Sequence, residues 1–475
     1  MDLFITDFQP FRIVEDKAFR KLIQTAFPSY IIPSLKYFAN NLLRSRYESL
    51  RALKMLEIKN NVQSICITSD IWTSSVNDSY MAITEHYIDS KVCILKSILL
   101  EYWQITHKIT CVVSDNAANI QPAIRSGDWR SVGCFAHSLN LIVQHSIRLI
   151  SDVLAKVKAI VEYFRRSNVG QAKLEAVLKQ TGLPVLKLKQ ECPTRWNSCY
   201  EMLERFLKIK EAIITTLALM RSDLSLQTAD WDIIEKIIPI LEPFYEITRE
   251  ISAENHVSLS KVLIFTKLIS RHVAKEMSIQ NDATLKAFLE RLQSQIIARF
   301  QDLESNILYS DSCILDPRFK KKGFRTSESY ERALEGLRRR VGTQQLPHID
   351  IETPQQPQNQ EPGPSTGKGC IWDEFDAEIA QVNRPSNSTA AGIRELDKYL
   401  EEEYLHRKED ALKWWHTRQS IYPHLYQLVL KRLCIQATSV PCERVFSGAG
   451  LVVNNRRRLL KPTNVSQVLF LHGNM

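Results

Sequence analysis

Glycine is scarce in this chain, with 14 among 475 residues. That share is less than half of the ~7% found in average proteins. Because glycine supplies many of the tight turns that connect strands, a chain so poor in it is expected to be mostly helical. The length allows more than one core, or one core that carries a large insertion.

Other absences exclude whole classes of protein. No run of ~18 uninterrupted apolar residues occurs, so a membrane span is not expected. The opening residues MDLFITDFQPF lack the pattern of a secretory signal, which indicates an intracellular protein. The ten cysteines include no CxxC pair, which argues against a zinc knuckle or a redox motif and favours buried free thiols. The net charge of +9 is modest but locally concentrated, so it permits a nucleic-acid partner without requiring one.

The hydrophobic pattern divides the chain into helical and strand-rich parts. Apolar residues spaced three to four apart predict helices, whereas β-branched runs with short turns between them predict strands. The first three strands have such short links that an antiparallel meander is expected. The predicted strands cover 62–72, 79–89, 91–100, 108–118 and 130–135. The predicted regions are helical 1–60, strand-rich 61–136, helical 137–345, a disordered proline- and glutamine-rich linker at 346–369, helical 370–433 and a C-terminal segment at 434–475.

Two aspartates stand at the ends of predicted strands. Asp70 ends the apolar run of the first strand and Asp115 ends the fourth. If these strands are neighbours, the carboxylates lie side by side, as in sites for two-metal phosphoryl transfer that hold ions ~3.5–4 Å apart. A third acid must come from elsewhere, and Glu443 in ATSVPCERVFSGAG is the candidate. For each acid alone, a turn cap, an Asx turn or a solvated helix position is the better explanation.

Taken together, the acids and several other motifs resemble the hAT superfamily of DNA transposases and its domesticated, BED-finger-type descendants. The resemblance implies an α/β, ribonuclease H-like core that is interrupted by a large all-α insertion, in a predominantly helical chain. It also implies that Asp70, Asp115 and Glu443 match the metal-binding catalytic acids, and that the region from about residue 392 serves dimerisation. The motifs are DFQPFRIVEDKAFRKLI, TSDIWTS, VVSDNAANI, CFAHSLNLIV, CPTRWNSCYEMLERF, ILDPRFK, KWWHTR, ATSVPCERVFSGAG and RRRLLKP.

The CxxH element of the family matches Cys134 and His137. A cysteine and a histidine at this spacing are half of a metal site, but no second pair follows them, so a packed helix start is the better interpretation. The resemblance places His137 near the acids as a supporting group.

Trp196 matches a family tryptophan that stacks on a DNA base, a role suited to its large aromatic face. The alternative is a core tryptophan at a helix N-terminus that Thr194 or Asn197 caps. Arg195 would pair either with phosphate or with Glu191.

Basic and aromatic clusters indicate further contacts. Clustered guanidinium groups neutralise the DNA backbone without reading its sequence, and a solvated protein face is the alternative. Arg318 with Lys320–Lys322 forms a second basic patch that is open to both interpretations. The predicted DNA contacts are Trp196, Arg195, Arg444, Arg456, Arg457, Arg458 and Lys461. The predicted dimerisation contacts, for which a core position is the alternative at the tryptophans, are Trp414, Trp415, Val445, Phe446, Leu469 and Phe470.

Two departures from the family pattern weigh against an active enzyme. A BED-type zinc finger is not found, and no structural zinc is expected in this chain. Between the third and fourth strands only EYWQITHK remains, whereas a parallel crossover needs about a dozen residues or more. Either LKSILLEYW becomes a helix or the sheet is distorted. The placement of Asp70 against Asp115 is then in doubt, and an error of ~1 Å costs on the order of a hundredfold in rate.

The sequence therefore predicts a transposase-derived nuclear protein that dimerises through its C-terminal region. DNA binding and a role in transcription are further expectations. One alternative is an active transposase that uses Mg²⁺ or Mn²⁺ at Asp70, Asp115 and Glu443 to cut and join DNA. Another is a protein-interaction scaffold without DNA contact. The expected partners are a second copy of the chain and DNA, and neither a membrane nor a small-molecule substrate is expected.

Overall fold

The computed structural model describes residues 1–73, 79–99, 106–115, 120–253, 256–344, 388–452 and 461–475. Within these residues the chain is predominantly helical and carries one small mixed sheet, which confirms the prediction made from the glycine content. The predicted disordered linker at 346–369 lies outside the described residues.

The sheet contains β1 (Ile65–Thr73), β2 (Ser79–Asp89), β3 (Ile94–Leu99), β4 (Ile109–Ser114) and β5 (Ser131–Gly133). The spatial order is β3-β2-β1-β4-β5. The first three strands pair antiparallel and form the predicted meander, whereas β4 is parallel to β1 and β5 is parallel to β4. Alternate side chains enter two different cores, with Ile67 and Val112 on one face and Cys66 and Cys111 on the other. The sheet is therefore covered on both faces.

The short link before β4 leaves the sheet intact. β3 remains a strand, and β4 pairs in parallel with β1 through Thr68 and Val113 among other residues. The register shifts only between Ile65 and Cys66, at the end of the ladder that lies away from the acids. The prediction that the link would distort the sheet or convert β3 into a helix is therefore wrong. β3 and β4 are separated by three strand spacings of ~4.8 Å each, or ~14 Å across the sheet. An extended chain advances ~3.3 Å per residue, so a link of this length can reach that far.

Helices pack around the sheet and form most of the rest of the described chain. The N-terminal helices are α1 (Asp2–Ile5), α2 (Lys17–Ala26), α3 (Leu35–Tyr37) and, after a π-helical turn at Phe38–Leu42, α4 (Leu43–Asn61). The middle helices are α5 (Gln121–Ser126), α6 (Phe135–Ile147), α7 (Ser151–Arg166), α8 (Asn168–Gln180), α9 (Trp196–Lys208), α10 (Lys210–Met220), α11 (Thr228–Ile251), α12 (Val262–Ile279), α13 (Ala283–Phe300), α14 (Ile307–Leu315) and α15 (Ser327–Gly342). The C-terminal helices are α16 (Ser388–Glu401), α17 (Ala411–His416), α18 (Pro423–Arg432), α19 (Val440–Val452) and α20 (Pro462–Asn474).

The N-terminal helices share a core with the C-terminal helix α20. Phe4 and Leu43 pack in one cluster with Leu471. At the end of α20, the side chain of Asn474 accepts a hydrogen bond from the Leu99 N–H at 3.1 Å and donates one to the Leu99 carbonyl at 3.2 Å. This amide therefore covers part of the outer edge of β3. The apolar C-terminal segment thus packs against a surface of its own chain.

The middle helices form one large core. α11 shows why they fold, since Trp231, Ile234, Ile237 and Phe244 recur at helical spacing and are all buried. Its first turn is fixed by a capping box between Gln227 and Asp230. The helical block that the sequence predicted after the sheet is therefore present.

The C-terminal helices α16 and α17 attach to α14 through buried hydrogen bonds. The Tyr399 hydroxyl donates to the Ile314 carbonyl at 2.8 Å, and the indole N–H of Trp415 donates to the Leu315 carbonyl at 2.9 Å. These bonds satisfy carbonyls at the end of α14 that have no partner within that helix. They fix the C-terminal region against the middle helices.

The thiols are free, as predicted, in the nine cysteines that the described residues contain, and eight of these are buried. Cys192 is exposed, because it lies in the turn that leads into α9, so the prediction of burial is wrong for that residue. Across the described ranges, no helix combines the length and the apolar character needed to cross a bilayer.

Candidate functional site

Asp70 and Asp115 stand at the same edge of the sheet. β1 and β4 are parallel neighbours whose register pairs Thr68 with Val113. Two residues further along each backbone, Asp70 and Asp115 take equivalent positions. Because side chains alternate with a period of two, both project from one face. The expected adjacency of the first and fourth strands is confirmed, and the catalytic role of the two acids stays a prediction.

Helix α19 brings Glu443 toward the same face. The sulfur of Cys442 lies 3.2 Å from the Thr68 hydroxyl and 3.8 Å from the Thr84 hydroxyl. The first turn of α19 therefore packs on the face of β1 that also carries Asp70, two residues beyond Thr68. Glu443 follows Cys442 and so belongs to the same end of the sheet.

The three acids interact electrostatically. The pKa of Asp70 is raised from its ordinary value of 3.8 to about 6, mainly by burial. The negative charges of Asp115 and Glu443 raise it further, and a hydrogen bond from the Ile71 N–H at 2.9 Å partly opposes the shift. Asp70 therefore lies close enough to Asp115 and Glu443 to be affected by their charges, although Glu443 is hundreds of positions away in sequence.

The raised pKa of Asp70 predicts a pH dependence of stability. Between pH ~4 and ~6 the folded state keeps a proton on Asp70 that the unfolded state releases, so the free energy of unfolding falls as pH rises through this window. Above pH ~6, Asp70→Asn should be more stable than wild type, because it removes a charge that is buried and repelled by its neighbours. Melting temperatures measured at intervals between pH 4 and 7 check this, and Asp232→Asn, at an exposed position of α11, is the control. Parallel profiles for wild type and Asp70→Asn would contradict it.

Arg195 holds the third acid. Its guanidinium lies 3.1 Å from the Glu443 carboxylate, across 248 positions of sequence. The alternative partner considered from the sequence, Glu191, instead pairs with Lys158. Because both Arg195 and Glu443 are substantially exposed, this ion pair contributes little to stability. The ion pair matters for the site instead, because the guanidinium of Arg195 balances the negative charge of Glu443.

The two aspartates suit a hard divalent cation. Mg²⁺ is commonly held by one or two carboxylates together with water and phosphate oxygens, and a cation between Asp70 and Asp115 would relieve their repulsion. In the described part of the chain, however, no three His, Cys, Asp or Glu side chains gather closely enough to bind one ion. The binding of Mg²⁺ or Mn²⁺ by Asp70, Asp115 and Glu443 stays a prediction, and Glu443 is ion-paired with Arg195.

Trp196 is not available to stack on a DNA base in this conformation. It is the first residue of α9, its side chain is only 3% exposed, and its ring packs edge-on against Tyr200 and Tyr245. Trp196 is thus a core residue at a helix N-terminus, which was the alternative considered from the sequence. Its backbone N–H is bonded by Asn140 at 3.1 Å, so neither Thr194 nor Asn197 acts as the cap at that atom. The prediction of stacking fails because the middle helices enclose the ring.

Cys134 lies at the packed start of a helix, which is the interpretation preferred from the sequence over half of a metal site. It is the N-cap of α6, and its buried sulfur accepts hydrogen bonds from the backbone N–H groups of His137 and Ser439, each at 3.4 Å. Because Ser439 immediately precedes α19, this contact ties the start of α6 to the helix that carries Glu443. The supporting role of His137 stays a prediction.

The predicted DNA contacts differ in their surroundings. Arg195 and Arg444 are exposed beside Glu443, and Arg444 also donates to the Ser252 carbonyl. Lys461 is exposed and precedes the first turn of α20. Residues 456–458, which carry the three consecutive arginines, lie outside the described residues. Of these residues Arg195 contacts Glu443 directly, and Arg444 follows Glu443 in α19.

The second basic patch is smaller than predicted, because only Lys321 and Lys322 of its four residues are exposed. Lys320 is buried, and its ammonium group donates to the carbonyls of Tyr399 and Glu402 at 2.8 and 2.5 Å. Arg318 is half-buried and pairs with Asp316. Lys320 and Arg318 bind groups of the protein from positions with little exposure, so neither presents its charge at the surface as Arg195 and Arg444 do.

The predicted dimerisation residues are largely internal. Trp415 and Phe470 are buried within the chain, at 0% and 1% exposure, so their assignment to an interface between copies is wrong. Trp414, Val445, Phe446 and Leu469 are half-buried. The core interpretation describes Trp415, because α14 and α16 provide the partners that its ring and N–H need.

A buried polar cluster beneath α19 was not predicted from the sequence. The hydroxyls of Thr68 and Thr84 lie 2.5 Å apart, and His86 Nε2 lies 2.9 Å from Thr84. Burial lowers the pKa of His86 to about 3, so this ring is neutral. The sequence did contain a signal for this cluster. Thr68 lies two residues before Asp70, and Thr84 lies two residues before His86, and residues two apart on a strand share one face. The cluster fixes the helix that carries Glu443.

Comparison with known proteins identifies the class to which this chain belongs. Residues 132–240 match the ZBED1 RNase-like helical domain, and residues 395–475 match the hAT family C-terminal dimerisation region. The first match covers β5 and the helices up to α11, and the second begins within α16. The two matches cover separate parts of the chain.

Similar curated proteins span almost the whole chain. Human zinc finger BED domain-containing protein 4 is 24% identical over 94% of this chain and 40% of its own length. A Zea mays protein whose name describes it as an AC transposase is 26% identical over 95% of this chain and 61% of its own length. The tpeD protein of Talaromyces stipitatus, named as a transcriptional regulator, is 24% identical over 97% of this chain and 59% of its own length.

The chain carries the C-terminal dimerisation region of the hAT family and is similar over almost its whole length to transposases and BED-finger proteins. It spans between 40% and 61% of the length of these three relatives.

Proposed function

We propose that this chain is a nuclear, DNA-binding protein that self-associates and takes part in regulating transcription. The observation that carries the DNA-binding proposal is the position of Arg195 and Arg444, both exposed beside Glu443 at the end of the sheet where Asp70 and Asp115 stand. A phosphate backbone that crosses this end of the sheet meets two guanidinium groups, which bind phosphate strongly. The similarity to a named transposase and a named transcriptional regulator supports the same proposal.

The core of this protein is, in this proposal, ribonuclease H-like. The order β3-β2-β1-β4-β5, with β2 antiparallel to its neighbours, supports it, as do the two acids on adjacent parallel strands. The helical block between β5 and the C-terminal helices then corresponds to the family's insertion. α19 completes the site by adding Glu443.

Self-association follows from the C-terminal match. The family region at 395–475 is named for dimerisation, and the described part of this region is folded against the sheet and the middle helices. A dimer would present two sets of Arg195 and Arg444 to one DNA molecule. Two linked sites bind more tightly than one, because the second contact is intramolecular.

DNA binding is tested by its salt dependence. Wild type should bind duplex DNA with an affinity that falls steeply with salt, and Arg195→Ala with Arg444→Ala should reduce the slope of log affinity against log salt by about 2, since each phosphate contact contributes about 1. Arg332→Ala with Arg339→Ala, two exposed arginines of α15, should leave the slope unchanged. Fluorescence anisotropy at several salt concentrations gives these slopes. Equal slopes for the three proteins would remove Arg195 and Arg444 from the interface.

An active transposase is the second candidate function, and the paired positions of Asp70 and Asp115 favour it. A bound Mg²⁺ would supply charge stabilisation for phosphoryl transfer at these carboxylates. Asp70 and Asp115 would hold the ion, and Arg195 would have to release Glu443 before that acid could contribute. The binding function is preferred because Glu443 is paired with Arg195.

A further inference from the structure

Basic side chains line one side of α12. Lys267, Arg271 and Lys275 are spaced four residues apart, so they lie on one face of the helix. Arg271 and Lys275 are exposed, and Lys267 is half-buried. In the described part of the chain none of the three takes part in an ion pair. Like charges four residues apart repel each other, so this spacing does not stabilise α12.

A turn between α14 and α15 adds two more lysines beside these three cations. The ammonium group of Lys267 donates to the carbonyls of Lys322 and Phe324 at 2.9 and 2.6 Å, which ties the turn to α12. A Cβ atom at Gly323 would overlap the sulfur of Cys313, so the turn also packs closely on α14. The position of the turn relative to α12 is therefore fixed by contacts on both sides.

Lys320 holds this turn in an unusual conformation. Its φ is 43°, in the left-handed region that residues other than glycine rarely adopt and that persists only where the surroundings enforce it. The buried side chain provides that constraint, because its ammonium group donates to the carbonyls of Tyr399 and Glu402. Lys321 and Lys322 follow directly, and both are exposed. One buried lysine thus sets the position of two exposed ones.

The three cations of α12 and the two lysines of the turn form one cationic surface. Burial lowers the pKa of Lys267, and the positive charges of Arg271 and Lys322 lower it further. Glu304 acts in the opposite sense, but it also pairs with Arg325 at 3.9 Å. Arg271 and Lys322 therefore lie close enough to act on the same ammonium group. The α12 basic face consists of Lys267, Arg271, Lys275, Lys321 and Lys322.

α12 starts close to the segment that leads into α19. The hydroxyl of Ser258, four residues before α12, accepts a hydrogen bond from the N–H of Ala437 at 3.0 Å, three residues before α19. Since a helix advances ~1.5 Å per residue, Lys267 and Lys275 lie ~8 and ~20 Å from the first residue of α12. The α12 basic face is therefore distinct from the two arginines beside Glu443.

We propose that the α12 basic face binds the phosphate backbone of duplex DNA, as a second contact surface besides Arg195 and Arg444. Several cations on one surface suit the part of DNA binding that does not depend on sequence, in which phosphate charge is neutralised. Protein interfaces instead have apolar or aromatic centres and few lysines, whereas every member of this face is cationic. The inference rests on the proposed DNA binding and adds a surface to it.

Salt dependence measured by fluorescence anisotropy tests the α12 basic face. Arg271→Ala with Lys275→Ala should lower the slope of log affinity for duplex DNA against log salt by about 2, since each phosphate contact contributes about 1. In combination with Arg195→Ala and Arg444→Ala the reduction should reach about 4, because contributions from separate surfaces add.

The matched control is Lys59→Ala with Arg165→Ala, at exposed positions of α4 and α7, which removes the same charge and should leave the slope unchanged. The charge-conserving Arg271→Lys with Lys275→Arg should keep the wild-type slope. Wild type that binds DNA without salt dependence, or not at all, would overturn the proposed DNA binding itself. A wild-type slope in Arg271→Ala with Lys275→Ala would overturn only the α12 basic face.

Lysine acetylation of the wild-type chain gives a second readout that needs no variant. Bound duplex DNA should slow the acetylation of Lys275, Lys321 and Lys322 several-fold by mass spectrometry, while Lys59 reacts equally with and without DNA. Poly-L-glutamate is the probe for an acidic protein partner. Protection by poly-L-glutamate but not by DNA would assign the face to such a partner and overturn the proposal, as would equal acetylation of these lysines under all conditions.

Discussion

Replacing Asp311 by alanine is expected to lower the free energy of unfolding by about 3–5 kcal/mol, the range for breaking a buried ion pair. The Asp311 side chain is fully buried, and its Oδ2 accepts hydrogen bonds from Nε of Arg340 and Nε of Arg432, both at 2.9 Å. Arg432 is itself buried and Arg340 is partly buried. Alanine removes the only negative group in this network and leaves two guanidinium groups without it. The network joins α14, α15 and α18, so its loss weakens the attachment of the C-terminal helices.

Urea denaturation of wild type and Asp311→Ala measures this cost. Asp397→Ala is the matched control, because it breaks an aspartate–arginine pair between α15 and α16 in which Arg338 and Asp397 are 37% and 49% exposed, at 2.9 Å. Such exposed pairs contribute about 1 kcal/mol or less. Similar losses for the two variants would show that the Asp311 network is not buried as described.

Replacing Trp415 by alanine is expected to lower the free energy of unfolding by about 3–5 kcal/mol, as for other buried aromatic residues. The ring is fully buried, its centroid lies 4.9 Å from that of Tyr399, and its N–H bonds the Leu315 carbonyl at 2.9 Å. Alanine creates a cavity between α14, α16 and α17 and leaves that carbonyl unpaired. The change should leave the affinity between folded copies unaltered, because the ring does not reach the surface.

Trp414→Ala provides the comparison within the same helix. Trp414 is only partly buried, lies parallel to Tyr422 at 6.3 Å and receives the Arg418 guanidinium over its face at 4.3 Å. Its removal should cost clearly less, since part of the ring already contacts water. Denaturation and sedimentation on both variants separate stability from assembly. If Trp415→Ala weakened the dimer while leaving stability intact, the interface role predicted from the sequence would be restored.

The sheet could be predicted because its signals are local. Alternating β-branched residues and short turns mark each strand, and the antiparallel meander follows from links of a few residues. The adjacency of Asp70 and Asp115 required one further assumption, that β1 and β4 are neighbours, and the structure has that order. The objection to the short link failed because a general expectation for crossover length was applied to a connection that needs only to span two strands.

The partners of individual side chains could not be predicted, because they depend on contacts between distant segments. Trp414 and Trp415 are adjacent and chemically identical, yet only Trp415 is enclosed by α14 and α16. Lys320 sits in a run of three lysines, but carbonyls 79 and 82 positions away remove it from the surface. Glu443 and Arg195 meet across 248 positions. Charge and aromatic content along the sequence therefore suggested surfaces where the fold instead made cores and internal ion pairs.

Binding without cleavage is measured most directly with a labelled duplex DNA end and the full-length chain in Mg²⁺. The protein should retard the DNA at low salt and leave both strands intact on a denaturing gel, because Arg195 neutralises the acid that would complete the site with Asp70 and Asp115. Arg195→Ala on the same substrate shows whether releasing Glu443 changes this outcome. Strand cleavage by wild type that Asp115→Ala abolishes would contradict the proposed binding function and establish the transposase.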